Sequence, residues 1–231
     1  MLNKVWRLLF RLLYNEFAYI YDRVSCAVSL GQWRDWQRAA LDMLPAADAG
    51  LVLELAHGTG DLQIDLIRAG YQTVALDQSA RMGSLASRKL RRAGLPANLI
   101  RGDAFQLPCK SGTFAAIVCT FPASFIFNEL VLAELARLLR PSGRVVIALV
   151  GQLSGGGVLR AAIRRLYRLT GQRDGLFSQG ALADLFVCRS FDVAAEIVTL
   201  PGSAVQLAVL TKVAGRAALS PEPGLETETS L

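Results

Sequence analysis

From Leu51 to Val150, short apolar segments alternate with stretches of helical periodicity. Five apolar segments predict strands, at 51–55, 72–76, 97–100, 114–120 and 144–150. Helical spacing between them predicts helices at 62–69, from 79 to about 93, and at 128–139. A parallel connection needs a crossover, which is usually a helix, so this repeat predicts a parallel sheet covered by helices on both faces.

The end of the chain follows a different pattern. Two strand-like segments, at 191–200 and 204–213, are separated only by Pro201-Gly202-Ser203. A connection this short joins antiparallel neighbours. We therefore predict an α/β fold with five parallel strands and a C-terminal antiparallel hairpin, which differs from the six-parallel-strand dinucleotide-binding fold.

Three sites with polar or glycine residues follow predicted strands, and ligands bind at the carboxyl ends of parallel strands. The first is the loop Glu54-Leu55-Ala56-His57-Gly58-Thr59-Gly60, where glycine allows close approach of the backbone. Asp77 ends the second strand, 23 residues after Glu54, and suits a pair of ribose hydroxyls. Asp103 follows 26 residues later, where its carboxylate can accept from an adenine amino group. The ordered series is a stronger signal than the glycine-rich loop alone.

These segments resemble the motifs of class I S-adenosylmethionine (SAM)-dependent methyltransferases. LVLELAHGTGDL is similar to the glycine-rich first motif, VALDQS to the second, GDAFQLPC to the third, FAAIVCTFP to the fourth and LARLLRPSGRVVIAL to the fifth strand. The resemblance covers about residues 51–150 and implies a Rossmann-like seven-stranded methyltransferase sheet. Residues 17–36 resemble the N-terminal lid of the ubiquinone and menaquinone biosynthesis branch.

The resemblance implies a role for each matching residue. Four of them would frame the methionine part of SAM: Glu54, Ala56, Gly58 and Gly60. The adenosine would contact Asp77 at the ribose, Gln78 and Met82 beside the adenine, and Asp103 and Ala104 at its edge. Thr120 and Phe121 would line the methyl-transfer site. No residue pattern calls for a metal.

The motifs depart from the usual pattern at two places. Ala56 stands where the first glycine is usual, and His57 replaces a smaller residue. The fourth motif is Thr120-Phe121-Pro122-Ala123 rather than the Asn/Asp-Pro-Pro-aromatic sequence of enzymes that methylate nucleic-acid amino groups, which disfavours a DNA base as substrate.

Two residues are candidates for catalysis, and each has a plainer interpretation. His57, the single histidine of the chain, could act as a general base, but a loop residue whose backbone alone contacts SAM is the favoured interpretation. Tyr21, with Asp22 beside it, could close over the cofactor, and helix packing explains both residues nearly as well.

The resemblance also implies how the chain is divided into segments. Residues 1–45 are expected to form a helical lid and 46–213 the SAM-dependent domain, with 151–190 as a substrate-cover insertion. Residues 214–231 are expected to be a disordered acidic tail. The four cysteines contain no C-x-x-C pair, so neither a zinc site nor a disulfide framework is expected, and a cytoplasmic location is the default.

The formal net charge of the chain is +6, and two basic amphipathic segments contribute to it, at the N-terminus and at 155–171. Such helices lie on anionic membranes or pack on their own domain, and both interpretations stay open. A signal peptide and a membrane span are not expected. A nucleic-acid partner is disfavoured because aromatic and basic residues do not interleave.

We expect a small apolar or lipid-like methyl acceptor, such as a quinone precursor or an aminophospholipid. The oligomeric state is open.

Two alternative functions remain. An NAD(P)-dependent oxidoreductase would require glycines at 58, 60 and 63, and position 63 is Gln63. A non-catalytic binding protein with the methyltransferase fold is left open by Ala56 and His57.

Overall fold

The computed structural model describes residues 24–156, 163, 165, 176–186 and 190–213. The predicted N-terminal helix, Tyr21, Asp22, Cys188 and the predicted acidic tail lie outside these residues. Residues 157–175 include most of the predicted basic amphipathic segment, and within this range the structure describes Ile163 and Arg165. Both are helical, and Ile163 is buried whereas Arg165 is exposed.

The described residues form helices and strands in the predicted alternation. The helices include α1 (Trp33–Arg38), α2 (Asp61–Arg68), α3 (Ala80–Arg92), α4 (Glu129–Leu138) and α5 (Gln179–Leu185), and residues 24–28 are helical as well. The strands are β1 (Val52–Leu55), β2 (Thr73–Asp77), β3 (Leu99–Arg101), β4 (Phe114–Thr120), β5 (Leu139–Leu153), β6 (Phe191–Leu200) and β7 (Ser203–Lys212). Short 3-10 turns occur at Leu41–Met43, Ala47–Ala49 and Ser124–Phe127.

The seven strands form one sheet in the order β3-β2-β1-β4-β5-β7-β6. Strands β1 to β5 pair in parallel, and β7 pairs antiparallel with both β5 and β6. The predicted α/β fold with a C-terminal antiparallel hairpin is therefore confirmed. The strand order reverses between β1 and β4, and this switch point opens a crevice at the carboxyl ends of the strands.

Two predicted boundaries differ from the structure. Helical spacing before Pro45 also predicts a helix from about residue 30 to 44. In the structure this helix ends at Arg38 and a 3-10 turn follows, with the Met43 N–H donating to the Ala40 carbonyl at 3.3 Å. Strand β5 is longer than predicted, because Leu139 already pairs with Phe114 and Leu153 still pairs with Ser203. Pairing with the neighbouring strands therefore decides where β5 begins and ends more than the local turn residues do.

Side chains of the strands alternate between two buried clusters, one on each face of the sheet. Trp36 of α1 belongs to the cluster that contains Val118 and Val146. Its indole N–H donates to the Ser203 hydroxyl at 3.0 Å, and its ring covers Gly151 so closely that a Cβ there would lie 2.2 Å from it. Helix α1 is therefore fixed beside the carboxyl ends of the central strands.

None of the helices in the described part of the chain has the length and apolar composition that a membrane crossing requires.

Candidate functional site

The loop between β1 and α2 bends through three residues in the left-handed region. Their φ angles are +56° at Ala56, +53° at Gly58 and +83° at Gly60. A Cβ at Gly60 would lie 2.7 Å from the Cβ of Ala86, so this glycine allows α2 and α3 to pack closely. A Cβ at Gly58 would meet nothing within 4 Å among the described residues, so this part of the loop borders open space.

Ala56 adopts the left-handed conformation that the glycine of the usual motif would adopt more easily. The loop therefore keeps its sharp turn despite the substitution, at a cost in backbone strain. The sequence left open whether Ala56 alters the loop, and this backbone answers that question for the described residues.

The Asp77 carboxylate connects the ends of two neighbouring strands. Its Oδ2 accepts from the Gly58 N–H at 2.9 Å, and its Oδ1 accepts from the Ser79 N–H at 2.8 Å. A carboxylate offers about four acceptor positions, so Asp77 retains capacity for further donors such as a pair of hydroxyls. Its predicted role as a ligand acid is compatible with this structural one.

Glu54 is the third residue of β1, which lies between β2 and β4 in the sheet, and it is 2 % exposed. Its Oε2 has no hydrogen-bond partner. Burial raises the pKa of Glu54 well above its ordinary value, and the negative charges of Asp61 and Asp77 raise it further. A buried carboxyl group with a free oxygen is suited to receive a cationic or hydrogen-bond-donating group of a ligand.

His57 is buried, with its Nδ1 2.8 Å from the Gly58 carbonyl oxygen. Because the carbonyl can only accept, Nδ1 carries the proton in this hydrogen bond. Burial lowers the pKa of His57, so its neutral form is favoured. The side chain thus stabilises the loop conformation, and both interpretations of His57 stay predictions.

The loop after β3 contains Asp103 and Ala104, the two residues predicted to contact the edge of the adenine. Asp103 is exposed, and its Oδ1 accepts from the Phe105 N–H at 3.1 Å. Glu134 of α4 anchors the same loop by accepting from the Leu107 N–H at 2.8 Å, and Arg137 donates to the Leu107 carbonyl at 3.2 Å. Hydrogen bonds from Arg137 lower the pKa of Glu134, so this anchor is an ion pair.

Three other predicted adenine neighbours differ in their exposure. Gln78 is exposed directly after β2, and Ala104 is half-buried. Met82 belongs to α3 and is completely buried, so a contact with a ligand requires this side chain to be uncovered. Its role beside the adenine stays a prediction.

The end of β4 carries an aromatic cluster that the sequence patterns did not reveal. Phe121 has φ +50° and its ring stacks on Trp33 of α1, with ring centroids 4.3 Å apart. Trp36 lies 6.2 Å from the same ring. Gln37 of α1 donates from Nε2 to the Thr120 hydroxyl at 3.2 Å, while its buried Oε1 has no hydrogen-bond partner. Predicted residues Thr120 and Phe121 therefore lie together, covered by three residues of α1.

Arg34 of α1 connects this helix to α2, which begins directly after the glycine loop. The sequence patterns did not reveal this contact. The Arg34 guanidinium contacts Asp61 and Asp65 of α2 at 2.7 Å each. Lys89 of α3 also contacts Asp61, at 3.0 Å. No spacing rule links residue 34 to residues 61 and 65, so only the folded chain brings these charges together.

A family model described as methyltransferase domain matches residues 52–143. The demethylmenaquinone methyltransferase of Beutenbergia cavernae is 37% identical over 137 residues, which are 59% of this chain and 55% of that protein. The corresponding protein of Deinococcus radiodurans is 34% identical over 158 residues, or 67% of this chain and 65% of that protein. The chain thus spans less than two thirds of the length of these curated relatives.

Solved structures share the fold at low sequence identity. A SAM-dependent methyltransferase from Thermotoga maritima aligns with a TM-score of 0.60 and 20% identity, over 87% of this chain and 98% of that one. Phosphoethanolamine N-methyltransferase 2 of Haemonchus contortus, in complex with S-adenosyl-L-methionine, aligns with a TM-score of 0.58 and 14% identity, over 79% and 53% of the two chains. These similarities establish the fold.

Replacing Ala56 with glycine tests the strain in the loop. We expect Ala56→Gly to stabilise the protein by about 1 kcal/mol, because glycine adopts a positive φ without the steric cost of a Cβ. Urea unfolding measures the change. Ala123→Gly is the control, since Ala123 has a φ of −69° and glycine there should be neutral or destabilising. Equal effects of the two substitutions would contradict the assignment of strain to Ala56.

Replacing Glu54 with glutamine tests the buried acid. Because its folded-state pKa is raised above the unfolded value of about 4.5, ionisation of Glu54 costs stability as the pH rises from there toward the folded pKa. Glu54→Gln removes this loss. We expect the ligand-free variant to gain stability over the wild type between pH 5 and pH 8, measured by urea unfolding at each pH. A difference that does not change with pH would show that Glu54 does not titrate in this range.

Proposed function

We propose that the chain is a class I SAM-dependent methyltransferase acting on a small apolar acceptor of the quinone-precursor class. The match of residues 52–143 to the family model described as methyltransferase domain supports this proposal. The observation that carries the proposal is the meeting of Glu54, Asp77 and Phe121 at the carboxyl ends of β1, β2 and β4. Relatives at 34 to 37% identity are named demethylmenaquinone methyltransferases, which supports this acceptor class.

The residues present fit SAM as the cofactor. The unpartnered Oε2 of Glu54 suits the ammonium group of the methionine part, and the glycine loop leaves space for it at Gly58. Asp77 suits the ribose hydroxyls, with Gln78 and Asp103 exposed where the adenine would be read. We assign Ala56, Gly60 and Ala104 to the walls of the same site.

Bound SAM supplies a methyl group that its sulfonium makes electrophilic, so the protein needs alignment and exclusion of water more than a catalytic dyad. Thr120, Phe121 and the covering residues of α1 form the wall next to the acceptor in this proposal. The neutral, buried His57 keeps the loop in place, and we assign it no proton transfer. Tyr21, a weaker catalytic candidate, lies outside the described residues.

The aromatic cluster favours a flat apolar acceptor over a small polar one. The stacked pair of Trp33 and Phe121 provides an apolar surface at the end of β4. The unpartnered Oε1 of Gln37, beside Thr120, suits a hydroxyl donor on the acceptor. A quinone precursor in its hydroxyl-bearing form combines both features, whereas an aminophospholipid headgroup has no flat ring to stack.

The alternatives receive less support. A dinucleotide-binding protein would have glycine at position 63, where this chain has Gln63. The Gln63 side chain is completely buried and donates a hydrogen bond to the Thr73 hydroxyl, so it has a structural role that glycine could not fill. Ala56 keeps the turn of the loop, which removes the main reason to expect a non-catalytic binding protein.

The proposal extends to the organisation and location of the chain. Residues 1–45 would cover the cofactor, 46–213 would form the catalytic domain, and 151–190 would enclose the acceptor. Residues 214–231 would be a disordered acidic tail. We propose a cytoplasmic protein in peripheral contact with the anionic inner face of the membrane, where an apolar acceptor is found.

Calorimetric titration with SAM tests the cofactor site. We expect micromolar binding to the wild type and at least roughly tenfold weaker binding to Asp77→Ala, because each lost hydrogen bond to a charged group contributes about 1.5–3 kcal/mol. Asp192→Ala is the control, since it removes an exposed carboxylate of β6. Absence of SAM binding to a folded wild type would reject the methyltransferase proposal. Equal affinities of wild type and Asp77→Ala would reject the role of Asp77.

Transfer of labelled methyl groups from SAM tests the acceptor class. We expect methylation of demethylmenaquinone, supplied in oxidised and reduced form, and none of phosphatidylethanolamine. Trp33→Ala should lower kcat/KM for the quinone roughly 3- to 10-fold, since an aromatic contact contributes about 0.5–1.5 kcal/mol. Trp33→Phe should retain most of it, and SAM affinity should not change in either variant. Methylation of phosphatidylethanolamine alone would overturn the quinone assignment.

A further inference from the structure

A basic segment between the second and third motifs contains arginines that have no role in the candidate site described above. From Gln78 to Gly102 the chain contains no aspartate or glutamate. The same segment contains six basic residues: Arg81, Arg88, Lys89, Arg91, Arg92 and Arg101. It comprises α3 and β3, and β3 is an edge strand of the sheet. The segment that forms α3 and β3 therefore has a concentrated positive charge.

The structure places part of this charge along an open groove of about 530 Å³ between α3 and β3. Asp77 and Ser79 line the end of the groove next to the candidate cofactor site, and Arg91 and Ala97 line its far end. With a rise of about 1.5 Å per residue, the part of α3 that lines the groove, from Ala80 to Arg91, extends roughly 17 Å along it. Its walls include three arginines and two serine hydroxyls: Arg88, Arg91, Arg101, Ser84 and Ser87.

The three arginines are available to a partner. All are exposed, and the ion pairs formed among the described residues include none of them. Arg88 and Arg101 donate from Nε to the backbone carbonyls of Ser84 and Gln78, at 3.3 Å and 3.2 Å. These bonds use one donor of each guanidinium and leave the others for anions.

The exposure of the arginines favours an extended anionic surface over a single small anion. A site for one free phosphate needs donors that converge in a partly closed pocket, whereas these side chains are spread along an open groove. Aromatic residues that could stack on nucleic-acid bases are absent from the described lining of the groove. Phe105, four residues after Arg101 in the loop that follows β3, is 45% exposed. Exposed aromatic side chains combined with basic residues are typical of surfaces that bind membranes.

We propose that the face formed by α3, β3 and Phe105 docks on the phosphate headgroups of an anionic membrane. Each basic residue near such a surface contributes on the order of 1 kcal/mol, so several together give reversible peripheral binding. This face adjoins the candidate cofactor site through Asp77, and docking would bring the site near an apolar acceptor dissolved in the bilayer. Only this last step rests on the proposed function, because lipid binding itself does not require methyl transfer.

Cosedimentation of the full chain with lipid vesicles tests the docking face. We expect binding to phosphatidylcholine vesicles that contain phosphatidylglycerol, weak binding to pure phosphatidylcholine, and a decrease with salt. Arg88→Glu/Arg91→Glu should weaken binding at least tenfold. The control Arg68→Glu/Lys110→Glu changes the net charge equally at exposed residues outside the groove and should retain most of the binding. Circular dichroism and SAM calorimetry, unchanged in both variants, show that the fold is intact.

Three results would overturn the proposal. One is equal loss of vesicle binding in both double variants, which would indicate an effect of net charge alone. Another is wild-type vesicle binding by Arg88→Glu/Arg91→Glu, which would place the contact elsewhere in the chain. The third is tighter binding of a single-stranded oligonucleotide than of anionic vesicles, which would assign the groove to nucleic acid. Vesicle binding is measured without SAM, so a failure of the methyltransferase proposal would not affect these results.

Discussion

The carboxylate of Asp77 is the contact on which the candidate site depends most directly. It accepts one backbone N–H from the glycine loop after β1 and another from the start of α3, so it fixes the ends of two parallel strands relative to each other. The strand order reverses next to β1, where the connections diverge and leave a crevice. A single side chain thus shapes the loop that borders the crevice and presents its remaining lone pairs to a ligand.

The site contains several features that cost stability. Ala56 and Phe121 both have a left-handed backbone conformation, and Glu54 is a buried acid with an unpartnered oxygen. Such costs persist where the surrounding structure enforces them, and they are concentrated at functional sites. Here the closely packed sheet, with the covering tryptophans of α1, holds the strained residues in place.

Helix α1 connects the two halves of the crevice. Through Arg34 it contacts the acids of α2, and through Trp33 and Gln37 it contacts the end of β4. The indole of Trp36 fixes the helix to the sheet at Ser203. The same six-residue helix therefore joins the glycine-loop side of the candidate site to the proposed acceptor side.

The sequence by itself determined the order of strands and helices, the terminal hairpin, and the acids at the strand ends, because periodicity and turn residues act over short distances along the chain. The glycine loop, Asp77 and Asp103 were found this way, and the motif resemblance added Thr120 and Phe121. Only the tertiary structure decided that β7 inserts between β5 and β6, that Met82 is buried, and that Trp33, Arg34 and Gln37 reach residues far along the chain. The physical reason is that strand pairing, burial and ion pairing join residues distant in sequence, and no local pattern records which partners will meet.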